Sequence, residues 1–383
     1  EIITSDWSSD VCSSDLQQGV AIGIFVKKPK NGPPRLRADG SFIIDPAIVH
    51  HFDLYGARSH KYKWLNENDI ENTKWRIFTP EGPNYYLYTQ DKELEKEYQG
   101  FMKINEIMPI NVLGFQTHRD KFAIDFNKNA LLHRIKSMHE KNLTDQDFCE
   151  NFDLQDNRDW QISSAREKLR SDPDWEEKIT LVSYRPFDNR YGYFSEVAMD
   201  YPRKELLQNV ANKENICIGV GRAGNAVAEE TWSLQTAARH PLDANVFCRG
   251  GVNVFPLYIY PKAQKDLLNE PAPERRPNLS DEFVAALKTA QGCTIAPEDT
   301  LAYLYAVLYT PGYRTRYADF LRRDFPRVPL TTDKKLFKQL VALGHELIGL
   351  HTLQTVPPRI TGFPIAGTGE VDRKSTRLNS SHW

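Results

Sequence analysis

The sequence of 383 residues predicts an α+β fold, in which a mixed, β-rich lobe with inserted helices precedes a small helical lobe. Two observations support this prediction. Short runs of β-branched and aromatic residues, bounded by turn residues, recur through the middle of the chain. After the Pro- and charge-rich residues 262–277, the sequence shows only patterns with apolar residues at helical spacing.

The elements of the first lobe are predicted in order along the chain. Residues 19–28, GVAIGIFVKK, predict a buried strand, and residues 29–37 predict a linker. Between residues 43 and about 127 the pattern predicts short strands and turns, including strands at 75–78 and 85–88. We then expect helices over 130–141, 145–152 and 162–170, the last capped by Ser163 or Ser164, and strands over 180–184, 191–194, 215–220 and 252–260.

The helical lobe is predicted from its apolar stripes. Residues 297–309 carry four apolar side chains at helical spacing, and Pro311-Gly312 breaks the pattern. We expect further helices over 281–289, 312–323 and 333–353. The stripes are Leu301, Leu304, Tyr305 and Leu308 in the first of these helices and Leu336, Leu340, Leu347 and Leu350 in the last.

Composition narrows the classes of protein to consider. The formal net charge is −2, so a nucleic-acid binder would need local basic clusters rather than an overall excess. Cys149, Cys217, Cys248 and Cys293 are scattered, which argues against a zinc ribbon or a disulfide framework and predicts a cytoplasmic setting. No apolar run is long enough to span a bilayer and we expect no signal peptide before Gln17, so no membrane partner is predicted.

Arginines crowd the helical lobe beside aromatic residues. Residues 313–327 combine five arginines with two tyrosines and two phenylalanines. Such a mixture suits a surface that packs on one side and meets phosphates on the other. A solvated helix face over a small core is the alternative interpretation. The arginines are Arg314, Arg316, Arg322, Arg323 and Arg327.

Donor side chains beside turns and strand ends are the candidates for DNA contact. Arginine can hold guanine through two hydrogen bonds, and asparagine can hold adenine in the same way. Arg119 and Arg190 are the strongest candidates for reading bases, because Asp120 and Asp188 lie close in sequence and could orient them. For every candidate, a structural salt bridge or turn contact is the alternative. The full set is Thr117, Arg119, Lys121, Arg185, Asn189, Arg190, Arg203, Lys204, Arg222, Arg239, Arg249, Arg322 and Arg323.

Five sequence blocks, taken in order, resemble the C-terminal specificity region of type ISP restriction-modification enzymes. They are residues 114–120 (GFQTHRD), 184–190 (YRPFDNR), 255–261 (FPLYIYP), 276–279 (RPNL) and 297–330. Together they span roughly residues 17–353. Members of this family are large single-chain bacterial proteins that methylate adenine and cut DNA.

The resemblance implies sequence-specific recognition of duplex DNA, with the target positioned for a methyltransferase and a nuclease that lie outside this chain. It implies that the methyltransferase domain of the same parent chain is a partner, and that residues 17–42 are the last strand and linker of that domain. S-adenosylmethionine, ATP and Mg belong to the parent family. We expect no cofactor in this fragment.

No catalytic residue or metal site is predicted. The family's methyltransferase needs an Asn-Pro-Pro-Tyr type tetrapeptide to hold the flipped adenine, and residues 83–86 carry similar letters in the wrong order. We therefore expect no methyl transfer, nuclease or helicase activity. The adjacent His50 and His51 point to opposite faces of a strand, and His345 and His351 do not share a helix face.

Two other functions stay open from the residues. Residues 219–224, GVGRAG, match the dinucleotide fingerprint, so a nucleotide-dependent oxidoreductase is one alternative. A Gly-rich turn is the simpler interpretation of the same residues. An interdomain scaffold without specific DNA contact is the second alternative.

Both ends of the chain resemble translated sequencing-adapter DNA. One DNA segment can encode residues 372–382, and its reverse complement in a shifted frame encodes residues 6–16. We expect these tails to lie outside the fold. The predicted organisation is a non-native tail at 1–16, a methyltransferase remnant at 17–42, a target-recognition lobe at 43–261, a linker at 262–280, a helical lobe at 281–356, and a tail at 357–383 that is non-native from 372.

Overall fold

The computed structural model describes residues 2–4, 20–26, 47–54, 58–82, 85–88, 91–140, 143–157, 160–221, 232–247, 251–261 and 275–358. In these residues helices alternate with short, mostly antiparallel strands, which confirms the predicted α+β class. The helices are α1 (Arg58–Glu67), α2 (Lys92–Gln99), α3 (Ile104–Ile107), α4 (Asp120–Ala123), α5 (Lys128–His139), α6 (Asp145–Phe152), α7 (Ile162–Ser171), α8 (Lys204–Asn209), α9 (Asp281–Gln291), α10 (Pro297–Tyr309), α11 (Pro311–Arg316), α12 (Ala318–Leu321) and α13 (Lys334–His351).

The strands are short and fall into several small sheets. They are β1 (Ile2–Thr4), β2 (Val20–Ile22), β3 (Val49–Asp53), β4 (Arg76–Phe78), β5 (Met102–Lys103), β6 (Val112–Leu113), β7 (Ile124–Asp125), β8 (Ile179–Arg185), β9 (Asp188–Tyr193), β10 (Cys217–Gly221), β11 (Gln235–Ala238), β12 (Val252–Pro256), β13 (Tyr258–Ile259), β14 (Arg276–Pro277) and β15 (Arg327–Val328).

A four-stranded antiparallel sheet of order β11-β10-β12-β6 separates two hydrophobic cores. Side chains alternate across a strand, so neighbours in β10 enter different cores. Cys217 and Val254 face the first core, which α5, α7 and the β8–β9 hairpin complete. Ile218 and Phe255 face the second core, which α9, α10 and α13 complete. The helical lobe therefore packs on one face of the sheet and the β-rich lobe on the other.

Helix α10 is the centre of the second core. Every residue from Thr300 to Leu308 is buried, so the predicted four-residue stripe understates its burial. Helix α13 crosses it closely, because a Cβ on Gly344 would lie 2.0 Å from the Ala302 carbonyl oxygen. A helix that is buried on all sides can show little amphipathic pattern in sequence.

Several predicted elements of the helical lobe need correction. In α13 the buried large side chains are Phe337 and Ile348, whereas Leu336 is 43% exposed, so the apolar stripe is rotated from its predicted position. Residues 312–323 form two short helices, α11 and α12, because the backbone leaves helical geometry at Tyr317.

The first lobe contains more helix than the pattern predicts. Helices α1 and α2 replace part of the expected run of strands and turns. The strand predicted at residues 85–88 is absent there, because Tyr85 has a φ of 48°, which extended backbone does not allow. Helix α7 is not capped by Ser163 or Ser164; instead the Asp156 carboxylate accepts a hydrogen bond of 2.8 Å from the Ile162 amide.

The start of the chain also differs from expectation. Only β2 forms within the described part of the strand predicted at residues 19–28, and Ile24, Phe25 and Val26 are 69 to 83% exposed rather than buried. Strand β1, inside the tail treated as foreign, pairs with both β2 and β3. Within the described residues, no helix is long and apolar enough to cross a membrane.

Candidate nucleic-acid interface

A layer of extended segments brings the two predicted turn clusters together. Gln116 pairs with Tyr201 on one side, and Phe115 pairs with Asp243 on the other. Leu242 then pairs with Ser183 of β8, which continues into β9 and β7. The segments at Phe115, Leu242 and β8 run parallel, so their continuations leave the layer at one edge. That edge carries the turn at residues 117–121 and the β8–β9 hairpin, and we call it the polar edge.

Asp120 joins the two turns of the polar edge. Its carboxylate accepts hydrogen bonds from the Thr117 hydroxyl and, at 2.6 Å, from the Tyr184 hydroxyl. The β8–β9 register shifts between Ser183 and Arg185, and such irregularities re-aim side chains. Burial, together with the bond to Asp120, raises the pKa of Tyr184 to about 12, so this hydroxyl stays a donor.

Arg185 lies flat on the Tyr184 ring, with its guanidinium carbon 3.8 Å from the ring centroid. It lies 3.4 Å from the Asp243 carboxylate and 3.9 Å from that of Asp120. Burial raises the pKa of Asp243 to about 6, although the Arg185 charge opposes this shift. Arg185 is therefore positioned by its contact with the Tyr184 ring, by a hydrogen bond from its Nη1 to the Tyr184 carbonyl, and by two carboxylates at longer range.

Arg190 is oriented by Asp188, as the sequence predicts. Its Nε and Nη2 donate to the Asp188 carboxylate at 2.9 Å and 2.6 Å, and the hydrogen bonds raise the pKa of Arg190. The guanidinium carbon lies 4.0 Å from the Phe126 ring centroid and 4.3 Å from that of Tyr184. Hydrogen bonds from both nitrogens to Asp188 and two ring contacts fix the direction of this side chain.

Arg119 points inward. Its side chain is 5% exposed, it donates to the Asp200 carboxylate at 2.5 Å and to the Thr117 carbonyl at 3.1 Å, and it stacks on Trp160 at 4.0 Å. The expectation that Asp120 orients Arg119 is therefore wrong, because Asp200 does so. Burial alone would raise the pKa of Asp200, but hydrogen bonds from Arg119 and His118 lower it below its ordinary value.

Four further candidates lie around the polar edge or close to it. Asn189 accepts a hydrogen bond of 3.1 Å from the Ser183 hydroxyl, and Lys121 pairs with Asp153 while 74% exposed. Arg203 has a φ of 56° and lies 4.8 Å from the Tyr201 ring centroid. Lys204 is exposed at the start of α8. A cleft of about 370 Å³ opens beside Thr117, Lys121 and Asp243.

The remaining candidates lie away from the two turns. Arg239 follows β11, and its Nε, like that of Arg203, is buried without a hydrogen-bond partner in the described part of the chain. Arg322 lies 3.9 Å from Asp319, and Arg323 lies over the rings of Tyr86 and Tyr88 at 4.8 Å and 4.7 Å. Arg222 and Arg249 lie outside the described residues.

The glycines of the fingerprint-like segment do not form a nucleotide loop where they are described. Gly219 and Gly221 lie inside β10, between the antiparallel strands β11 and β12. A dinucleotide site needs these glycines after a strand of a parallel βαβ unit. Their small size has a packing reason, because a Cβ on Gly221 would lie 2.8 Å from the Leu234 side chain. Gly224 lies outside the described residues.

The histidines take structural positions. His50 is exposed and His51 is 2% exposed, which confirms that they face opposite sides of β3. His345 pairs with Asp299 at 2.7 Å, and His351 bonds to the Tyr305 hydroxyl. Over the described residues, no group of three or more metal-ligating side chains occurs.

Sequence reasoning missed several residues of the polar edge. Tyr184 and Asp243 connect its arginines, and Phe126 and Phe187 lie at its surface, 68% and 60% exposed. Tyr184 directly precedes Arg185 in sequence and Phe187 follows it by two positions, so an aromatic residue close to a candidate arginine was the available signal. Asp243 carried no such signal, because its position depends on pairing between distant segments.

The fold and the polar edge define an α+β binding module whose arginines are positioned on paired strands. The chain belongs to the family of Type ISP C-terminal specificity domains, which matches residues 106–380. This match confirms the resemblance inferred from the five sequence blocks. No curated protein sequence matches the chain.

Solved structures that share the fold include three complexes with DNA or a DNA mimic. The cryoEM structure of a DrdV–DNA complex has 22% identity and a TM-score of 0.61 over 86% of this chain and 33% of that one. A nuclease-deletion mutant of the Type ISP restriction-modification enzyme LlaGI, in complex with a DNA substrate mimic, has 20% identity and a TM-score of 0.56 over 84% of this chain and 24% of that one. The ATP-dependent Type ISP restriction-modification enzyme LlaBIII bound to DNA has 18% identity and a TM-score of 0.59 over 82% of this chain and 21% of that one. The chain spans about a third or less of each of these proteins.

Proposed function

We propose that this chain recognises a specific sequence in duplex DNA. Membership of a family of specificity domains supports this function, and the three structural relatives named above were solved in complexes that include DNA or a DNA mimic. The oxidoreductase alternative has no comparable support, since Gly219 and Gly221 lie within a strand.

The positioning of Arg190 is the observation that carries the proposal. Its Nε and Nη2 bond to Asp188, and the guanidinium rests against two aromatic rings. Its Nη1 makes no hydrogen bond within the described residues. An arginine that is already oriented loses less freedom when it binds a base edge, and its fork of donors suits guanine.

Contacts to phosphates would supply the remaining affinity. Arg203 and Arg239 each bury an Nε without a hydrogen-bond partner in the described residues, and no carboxylate pairs with either side chain there. A partly buried, uncompensated cation is stabilised when an anion binds it. We assign these two residues to phosphate contacts, which position the duplex without reading its sequence.

A selection from random duplexes tests the function directly. The purified chain is expected to enrich one sequence from duplexes with a randomised centre, and to bind it at least about a thousandfold tighter than a scrambled duplex. Binding should weaken steeply as salt concentration rises. Binding without enrichment would favour the scaffold alternative, in which DNA contact is weak or nonspecific.

The wider role follows the resemblance. We propose that the methyltransferase domain of a longer chain is the partner, and that S-adenosylmethionine, ATP and Mg act there rather than on this fragment, in the cytoplasm. The test is to incubate the purified fragment with labelled S-adenosylmethionine and its selected duplex. The assignment is wrong if the wild-type chain transfers label to the duplex and if Tyr85→Ala or Tyr86→Ala abolishes that transfer.

A further inference from the structure

The turn of the β8–β9 hairpin contains a residue that is poorly suited to its backbone. Arg185 pairs with Asp188, so Pro186 and Phe187 alone form the turn. Phe187 has a φ of 62°, in the left-handed region that ordinarily takes glycine or asparagine in turns. A bulky side chain in this conformation lowers stability, and such strain often occurs where the side chain has another role.

The ring of Phe187 is available to a ligand. The residue is 60% exposed, and its ring contact among the described residues is with His351, edge to face at a centroid distance of 5.6 Å. Arg185 and Arg190 flank it on the two strands, and each is stacked on an aromatic ring. The hairpin therefore presents an apolar ring between two positioned cations.

We propose that Phe187 inserts between two bases of the bound duplex and unstacks them. This inference rests on the proposed function. Proteins that kink DNA insert apolar side chains between base pairs, and flanking cations meet the nearby phosphates. The ring lies on a two-residue turn at the end of the hairpin and is 60% exposed, so a ligand can reach it without separating the strands. The ring contacts His351 in a T-shaped arrangement and is otherwise open to solvent, with the residue 60% exposed.

The experiment uses the duplex selected by the wild-type chain, with 2-aminopurine placed at each position in turn. The fluorescence of this base increases when it loses its stacking partner, and we call this increase brightening. With the wild-type protein, we expect brightening at one or two adjacent positions. Phe187→Asn, which suits the backbone but removes the ring, should abolish the brightening and weaken affinity roughly tenfold. Phe187→Leu keeps an apolar side chain and should retain most of the brightening.

Stability gives an independent readout. Phe187→Asn relieves the left-handed strain, so its melting temperature should rise by about 2 °C. Tyr85→Asn is the matched control, because Tyr85 is also a left-handed, exposed aromatic residue, with a φ of 48° and 59% exposure. That variant should leave the brightening unchanged.

The outcomes separate the two proposals. If no sequence is enriched, specific recognition fails and insertion fails with it. If a sequence is enriched but Phe187→Asn brightens it as the wild type does, insertion is overturned and recognition stands. If the wild type brightens no position, Phe187 does not unstack bases, whatever its effect on affinity.

Discussion

Two of the arginine–aspartate pairs at the polar edge, Arg119 with Asp200 and Arg185 with Asp243, are built differently. Arg119 is 5% exposed and bonds directly to Asp200, which His118 also contacts, so the pKa of Asp200 is lowered despite burial. Arg185 lies 3.4 Å from Asp243, whose pKa burial raises to about 6. The first pair is closed and internal. In the second pair the two charges lie farther apart, and the arginine is on a hairpin that reaches the surface.

The contrast changes the expected roles of the two turns. The turn at residues 117–121 fixes the layer through Arg119, Asp120 and Asp200. The hairpin presents Arg185 and Arg190 on that fixed base. DNA contact by Arg119 stays a prediction, but its burial makes Arg190 the better candidate for reading a base.

The largest expected effect is on stability. Arg119→Ala leaves Asp200 buried without its main partner and removes the contact with Trp160, so the free energy of unfolding should fall by about 3–4 kcal/mol. Urea denaturation measures the loss. Adding Asp200→Asn should recover part of it, because the orphaned charge is then removed. A small loss of stability combined with loss of sequence preference would instead make Arg119 a base-reading residue.

The next largest effect is on the pH dependence of stability. The aspartates of the two pairs contribute to it with opposite signs. The folded-state pKa of Asp243 is raised from 3.8 to about 6, so its contribution to stability is full below pH 4 and is lost as pH rises through about 6. We expect a loss of about 2 kcal/mol between pH 4 and 7. Asp200, with a lowered pKa, contributes above pH 4 and loses its contribution in acid.

Two variants separate these contributions in urea titrations across pH. Asp243→Asn should flatten the fall between pH 4 and 7, and Asp200→Asn should change only the acidic branch. An unchanged slope between pH 4 and 7 in Asp243→Asn would show that this carboxyl is not the titrating group.

The sequence predicted the type and position of most elements in the middle and end of the chain, because their period and turn residues are local signals. Helix α10 and the β8–β9 hairpin are examples. The pairing of Asp188 with Arg190 was also predictable, since the two residues lie on one strand.

Partners from distant segments were not predictable in this way. Asp200 approaches Arg119 only because Tyr201 pairs with Gln116, and Asp243 approaches Arg185 only because Leu242 pairs with Ser183. Nothing in the local pattern encodes these pairings. Charge alone therefore suggested Asp120 as the partner of Arg119, and tertiary pairing made it the acceptor for Thr117 and Tyr184 instead.

Replacement of Arg190 tests whether the hairpin reads a base. Arg190→Ala should change stability by less than about 1 kcal/mol, because its ion pair is local and partly exposed. It should lower affinity for the selected duplex by about 1–3 kcal/mol, and hardly affect a scrambled duplex. Competition between the two duplexes at fixed salt measures the ratio. An unchanged ratio would move base reading to other residues, with Arg185 the first to test.

The smallest expected effect comes from the arginines of residues 313–327. Arg316 bonds to Glu97 at 2.5 Å, whereas Arg322 lies 3.9 Å from Asp319 and Arg323 lies over two tyrosine rings. Replacing both Arg322 and Arg323 by alanine should weaken binding to all duplexes alike. The plot of log affinity against log salt should become flatter by about one unit for every arginine–phosphate interaction that the substitutions remove.

Arg316→Ala is the matched control, because a guanidinium already neutralised by Glu97 binds a phosphate less strongly. This variant should leave the slope unchanged. Equal slopes in the double variant and the wild type would favour the alternative, in which Arg322 and Arg323 belong to a solvated face over a small core. The polar edge would then be the main surface that binds DNA.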